Sequence, residues 1–166
     1  MRYLNRIRNL LALGAAALML LSCSYVIRPE PAIKSLSIGT LDNRTHEPKL
    51  SDTLREELTR ELVQRSIIVS EGLDSELDGT IKSIEVTPLA EKGGSIVKFS
   101  VNIQGDFNLR KGTEGQPIKL VTPLSYLVTF GSDVPLDPLY SMREEAVRRA
   151  IADLASDLAA AAALER

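Results

Sequence analysis

The clearest pattern in the chain lies between residues 97 and 110. Val97, Phe99, Val101, Ile103, Phe107 and Leu109 alternate with Lys98, Ser100, Asn102, Gln104, Asp106, Asn108 and Arg110, and Gly105 takes one apolar slot. Alternation this long predicts a β-strand with one buried and one wet face, the mark of an antiparallel sheet. Gly93-Gly94 before it and Gly112 to Gly115 after it supply turns. Leu77 to Leu89 reads as a preceding strand whose apolar phase slips between Ile81 and Ile84, which predicts a bulge. A third strand spans Ile118 to Phe130, with Leu120, Leu124, Tyr126, Val128 and Phe130 in phase; Pro123 within it points to an edge or a bulge. Around Ile33 to Leu41 a further strand places Leu36 and Ile38 on one face.

Two stretches follow the helical period instead. Leu50, Leu54, Leu58 and Leu62 recur at i, i+4 with charged residues between them, so they form one stripe of an amphipathic helix. Ser51 or Thr53 is the expected cap, Thr53 with Glu56 in capping-box spacing, and the helix should stop near Ser66, before the β-branched run Ile67-Ile68-Val69. Ser141 to Glu144 is a second capping box by spacing. It opens a stripe of Val147, Ile151, Leu154 and Leu158, thickened by Ala146, Ala150 and Ala155. Ala159 to Ala163 continues on propensity alone and is expected to fray. The order predicts an α+β fold, a two-layer sandwich with a mixed, mostly antiparallel sheet of about four strands and two helices on one face.

The first residues have a different character. Arg2, Arg6 and Arg8 precede an apolar run from Leu10 to Leu21, with no acidic residue and only Gly14 interrupting. A basic segment followed by an apolar stretch too short to span a bilayer reads as a secretory signal peptide over residues 1–22. Leu20-Leu21-Ser22-Cys23 resembles the lipobox of bacterial lipoproteins. The resemblance implies cleavage after Ser22 and lipidation of Cys23, the only cysteine in the chain. Ser24 stands where many inner-membrane lipoproteins carry Asp, so the implied address is the cell outer membrane, periplasmic side. Residues 23–32, with Pro29 and Pro31, make an extended linker, and residues 33–166 make one domain.

Composition narrows the chemistry. A net charge of −2 over the 166 residues becomes −5 once residues 1–22 go, since they hold three arginines and no carboxylate. That balance argues against a nucleic-acid partner. One histidine, His46 in a polar turn, rules out a multi-histidine metal site, and a single cysteine rules out a zinc-cysteine cluster or an internal disulfide. No G-x-S-x-G elbow is present, the Gly pairs do not open helices, and Glu56-Glu57 and Glu144-Glu145 read as solvated helix starts. Neither catalytic residues nor a cofactor is nominated. The remaining feature is the wet sheet face together with the basic strand ends Lys92, Arg110 and Lys111, candidates for an anionic ligand.

Several segments together resemble the LptE family of lipopolysaccharide-assembly lipoproteins. They are Cys23-Ser24-Tyr25; Ile38 through Asn43-Arg44-Thr45-x-Glu47-Pro48; Leu77-Asp78-Gly79-Thr80-Ile81; and Arg143-Glu144-Glu145-Ala146-x-Arg148-Arg149-Ala150. The chain departs from the family pattern in lacking an aromatic before Asp42-Asn43 and in carrying Leu77 where a small residue is usual. The resemblance implies a non-catalytic protein that plugs the large outer-membrane barrel LptD, assists its assembly and takes part in lipopolysaccharide delivery. Lys92, Arg110 and Lys111 would then meet lipid A phosphates. The alternatives are an assembly or pilotin-type lipoprotein for another outer-membrane complex, or a periplasmic lipoprotein hydrolase.

Overall fold

The computed structural model describes residues 31–92, 95–112, 115–130 and 139–165. The expected signal peptide, Cys23, most of the expected linker and the turn expected at Gly93-Gly94 lie outside these residues. In chain order the elements are β1 (Ser35–Asn43), α1 (Leu50–Gln64), β2 (Ile68–Val69), β3 (Ser75–Lys92), β4 (Ser95–Lys111), β5 (Ile118–Leu120), β6 (Ser125–Thr129) and α2 (Leu139–Leu164).

β4 is the spine of the sheet. On one of its faces Phe99, Val101, Ile103, Phe107 and Leu109 are buried; on the other, no residue from Lys98 to Arg110 is. β3 pairs with β4 antiparallel along nearly its whole length, from Ser75↔Lys111 to Lys92↔Ser95. The phase slip read from the sequence is a bulge at Lys82, where Ile81 faces Gly105 and Ser83 faces Gln104. β1 lies parallel to β3 on its other side, and β2 lies parallel to β1, giving the order β2-β1-β3-β4-β5 with β6 also on β4. The sheet thus has six strands rather than about four.

Two causes account for the difference. The run at Ile67 yields a two-residue strand at Ile68–Val69, while Ile67 turns into the core. The expected strand 118–130 breaks in two around Pro123, since proline cannot donate to the ladder. β5 pairs at Phe107 to Leu109, and β6 pairs at Lys98 to Asn102. In the gap the Ile103 N–H still reaches the Leu124 carbonyl at 3.0 Å. Leu124 consequently leaves the core and is exposed, whereas Leu120, Tyr126, Val128 and Phe130 are buried as their phase predicts.

Both helices cover the apolar face, and their side chains join those of the strands in one buried cluster. Leu50, Leu54, Leu58 and Leu62 of α1 are all buried; removing each from water contributes about 2 kcal/mol. Neither Ser51 nor Thr53 caps this helix. Burial of Leu50 sets its first turn, Lys49 takes a left-handed φ of 61° just before it, and no side chain caps it. The helix ends at Arg65 as expected, with Ser66 at φ 63°. Glu57 is also a correction, because it is only 6% exposed and is paired with Arg60 at 2.7 Å instead of sitting on a solvated face.

In α2 the helix already runs from Leu139, so Ser141 lies inside it and is not the cap. The sequence places Pro138 directly before that start, and proline disfavours helical backbone in the residue preceding it. The terminal alanines do not fray. Ala159 and Ala162 are fully buried, and the Ala163 carbonyl accepts the Ala32 N–H at 3.0 Å. Tertiary packing, not propensity, carries the helix to Leu164.

Candidate functional site

The face of the sheet away from the helices is polar along β4, with the exposed Leu127 of β6 opposite Ser100, and Asp106 and Arg110 on it are cross-linked to neighbouring strands. The Asp106 carboxylate of β4 accepts from Lys119 of β5 at 2.9 Å and is also ion-paired with Lys82 of the β3 bulge. These contacts, the Lys82 hydrogen bond first and the Lys119 bond second, hold Asp106 down to about 2 from 3.8. One bulge makes this possible, because the extra residue in β3 re-aims Lys82. Toward one end of the hairpin Arg110 donates to Asp78 Oδ2 at 2.9 Å and lies 3.6 Å from Glu76. Asp78 Oδ1 in turn accepts the Thr40 N–H of β1 at 3.2 Å.

The segments of the family resemblance that lie among the described residues prove to be structural. Asn43 Oδ1 accepts from the Thr45 N–H at 3.0 Å and from the Thr45 hydroxyl at 2.8 Å, and Asn43 Nδ2 donates to the Glu47 carbonyl at 2.7 Å. This self-bonded turn connects β1 to α1, and its Glu47 is ion-paired with Arg143 of α2, so two of the segments meet. Gly79 is needed because the Phe107 ring covers it: a Cβ there would lie 2.2 Å from Phe107 Cδ1. In the segment that begins at Arg143, Glu145 is clasped by Arg148 at 2.7–2.8 Å and by Arg149 at 2.7 Å. That clasp, led by the Arg148 hydrogen bond, lowers Glu145 to about 2 and raises Arg148 further above its ordinary value.

The three basic residues nominated from sequence are not brought together. Lys92 ends β3, opposite Ser95, while Arg110 and Lys111 end β4, opposite Glu76 and Ser75. At about 3.3 Å per residue the two places are about 50 Å apart along the hairpin. Arg110 and Lys111 also differ from each other. Arg110 is engaged by two carboxylates on the polar face, whereas the Lys111 Nζ is out of solvent and has no hydrogen-bond partner among the described residues. Sequence reading missed Lys82 and Lys119, which join the polar face only through the strand register. The bulge signal at Ile81 to Ile84 was the one available clue to the former. His46 is exposed in its turn. No helix among the described residues is long and apolar enough to cross a membrane.

Comparison with known proteins places this architecture. No curated protein matches the chain in sequence. Among solved structures, protein XCC0632 from Xanthomonas campestris superposes with a TM-score of 0.51 at 12% identity, over 81% of this chain and 85% of that one. A minor lipoprotein from Acinetobacter baumannii gives 0.48 at 16% identity, over 78% and 90%. Rare lipoprotein B from Shewanella oneidensis gives 0.36 at 12%, over 74% and 89%. The family described as LptE, lipopolysaccharide-assembly, matches residues 33–162, from the first buried residue before β1 to the last buried alanine of α2. With the hydrogen-bonded turn, the Asp78-Gly79 strand and the Arg143 helix all inside that match, the chain belongs to the LptE lipopolysaccharide-assembly family.

Proposed function

We propose that the mature protein is an outer-membrane lipoprotein, acylated at Cys23 and held on the periplasmic side, that plugs an LptD-like β-barrel, assists its assembly and takes part in moving lipopolysaccharide to the outer leaflet. The role is non-catalytic: the domain works by shape and surface. The observation that carries this reading is the family match over the whole folded domain. Physical fit supports it. A domain of this size has a radius of gyration of about 14 Å, so only a wide barrel, of 20-odd strands, has room for it. Barrel lumens are polar, and the sheet face from Lys98 to Arg110 is polar, with Asp106 and Arg110 paired in place.

For lipopolysaccharide, the phosphates of lipid A are the natural counter-charge for Lys92, Arg110 and Lys111. Their separation makes them two contact points instead of one cradle. To meet a phosphate Arg110 would have to release Glu76 or Asp78, and Lys111, whose Nζ is out of solvent with no hydrogen-bond partner among the described residues, would have to turn outward. The reading is tested by depleting the protein in its native cell and measuring lipopolysaccharide at the surface. Surface lipopolysaccharide should fall while the inner-membrane pool rises; unchanged export would remove the proposal. Changing Lys92, Arg110 and Lys111 to Glu, singly and together, then assigns the contacts. Undiminished lipopolysaccharide binding by the triple variant would discard these residues while leaving the barrel role standing.

A further inference from the structure

The chain enters its folded domain at a fixed point. The Ala32 N–H donates to the Ala163 carbonyl, in the last turn of α2, at 3.0 Å, and the next residue, Ile33, is buried. Strand and helix directions show what else lies at that end. β1 starts there beside Ile68 of β2, whose N–H reaches the Lys34 carbonyl at 2.9 Å. α1 finishes there, since the Ile67 N–H returns to the Leu62 carbonyl at 3.0 Å. β3 is parallel to β1 and so runs away from this end, from Ser75 toward Lys92. At about 3.3 Å per residue, Leu89 stands about 45 Å from Ser75 along that strand.

The entry end carries exposed apolar side chains. Val63 in the last turn of α1, Ile68 of β2 and Leu164, the last residue of α2, are 58%, 66% and 75% exposed. Such residues scattered singly are ordinary. These are not scattered: Ile68 is a partner in one of the hydrogen bonds that fix the entry point, and Val63 and Leu164 adjoin Leu62 and Ala163, partners in the other two. Charges nearby are of both signs, Lys34 and Arg65 against Glu61 and Glu165, and Arg65 is ion-paired with Glu61. What this end offers is therefore apolar surface and not a charge. Ala32 follows Cys23 by nine positions, and a chain of that length spans at most about 30 Å. An acyl anchor on Cys23 keeps the entry end within reach of the leaflet that holds it. Tethering also raises the effective concentration to the millimolar range, so a contact of three side chains, too weak to recruit a free domain, becomes populated.

We propose that, in the acylated lipoprotein before it joins a protein partner, Val63, Ile68 and Leu164 rest on the lipid surface at the boundary between headgroups and acyl chains. The domain then stands on its entry end, with the β3–β4 hairpin directed away from the leaflet. This rests on acylation of Cys23, part of the proposed function, and is independent of the barrel.

The test uses the full-length acylated lipoprotein in vesicles of phosphatidylethanolamine and phosphatidylglycerol. Flotation with the vesicles is read first, because it reports the anchor alone. Acylated Cys23 offers no free thiol, so Leu89→Cys, at a 52% exposed position remote from the entry end, takes a single donor dye, and lipid headgroups carry the acceptor. Energy transfer should be weak, and should rise about threefold when Val63, Ile68 and Leu164 are all changed to serine, because the domain then tumbles on its tether. A thermal melt should show that the serine variant is folded, as expected at exposed positions. A polarity-sensitive dye on Ile68→Cys should be quenched by a lipid-borne nitroxide, and the same dye on Leu89→Cys should not. Raising the salt should leave both readouts unchanged. Strong transfer from Leu89→Cys without the serine changes, transfer that ignores those changes, or orientation lost in salt overturns the proposal. Failure to float removes the acylation reading and the proposal with it, whereas flotation with the Ile68→Cys dye in water removes the proposal alone.

Discussion

Replacing Gly79 by alanine tests how the sheet is packed where the family segment Asp78-Gly79 crosses β4. The Phe107 ring lies flat across two glycines: a Cβ on Gly79 would sit 2.2 Å from Cδ1 and one on Gly105 2.7 Å from Cε2. Both distances are below any ordinary contact, and Phe107 is 1% exposed, so the ring has no free space into which to swing. Gly79→Ala is therefore an overpacking change, with a cost of about 2 kcal/mol. For a domain of this size the melting temperature should fall by about 7 °C, read by circular dichroism on the full chain. Phe107→Ala alone should cost about 4 kcal/mol through the cavity it leaves. The double variant should cost hardly more than Phe107→Ala, because the obstructing ring is gone, so the pair falls short of additivity by about 2 kcal/mol. If Gly79→Ala is neutral, or if the two costs simply add, Phe107 does not need the bare glycine and this account of the strand is wrong.

Other consequences are equally direct. The folded pKa of Asp106 lies below its unfolded value, so its lysine contacts favour the folded state above about pH 4 and are lost as pH falls toward 2. Carboxyl NMR should place its midpoint near 2, moving back toward 3.8 when Lys82 and Lys119 are both alanine; the same midpoint in both proteins would deny the bridge. Arg55 of α1 donates to the carbonyls of Ile38 and Gly39 at 2.8 and 2.6 Å, where β1 slips register against β3. Arg55→Ala should cost about 1 kcal/mol in urea unfolding, and no change would mean that the irregular strand holds itself. At the end of α2, Ala159→Leu should cost about 2 kcal/mol by overpacking a fully buried site. Leu164→Ala, at a 75% exposed position, should stay within about 0.5 kcal/mol. Equal effects would mean that the terminal alanines do not pack.

What the residue pattern revealed and what it hid divide along a physical line. Period and phase are local, so the strand from Val97 to Arg110, the stripe of four leucines in α1 and the slip at Ile81 to Ile84 were all legible, and the burial of these residues follows them. Cross-strand register is not local. Nothing in the sequence around Lys119 announces that it shares a carboxylate with Lys82, and nothing near Arg110 names Glu76 and Asp78 as its partners. Capping failed for a related reason. Ser51, Thr53 and Ser141 have the right spacing, but burial of Leu50 and the early start of α2 at Leu139 overrode it. Glu57 looked like part of a solvated helix start until α2 packed beside α1. The family segments among the described residues were legible as a resemblance before their function in the fold was visible: they form a hydrogen-bonded turn, a glycine under a ring and an arginine clasp.

The measurement that bears most directly on the central reading is purification of the full-length lipoprotein from native outer membranes in mild detergent, followed by identification of what remains bound. One large β-barrel protein of the lipopolysaccharide export system should co-purify in a complex that survives size-exclusion chromatography. Recovery of the lipoprotein without that barrel, or in stable complex with a different outer-membrane assembly, would contradict the account.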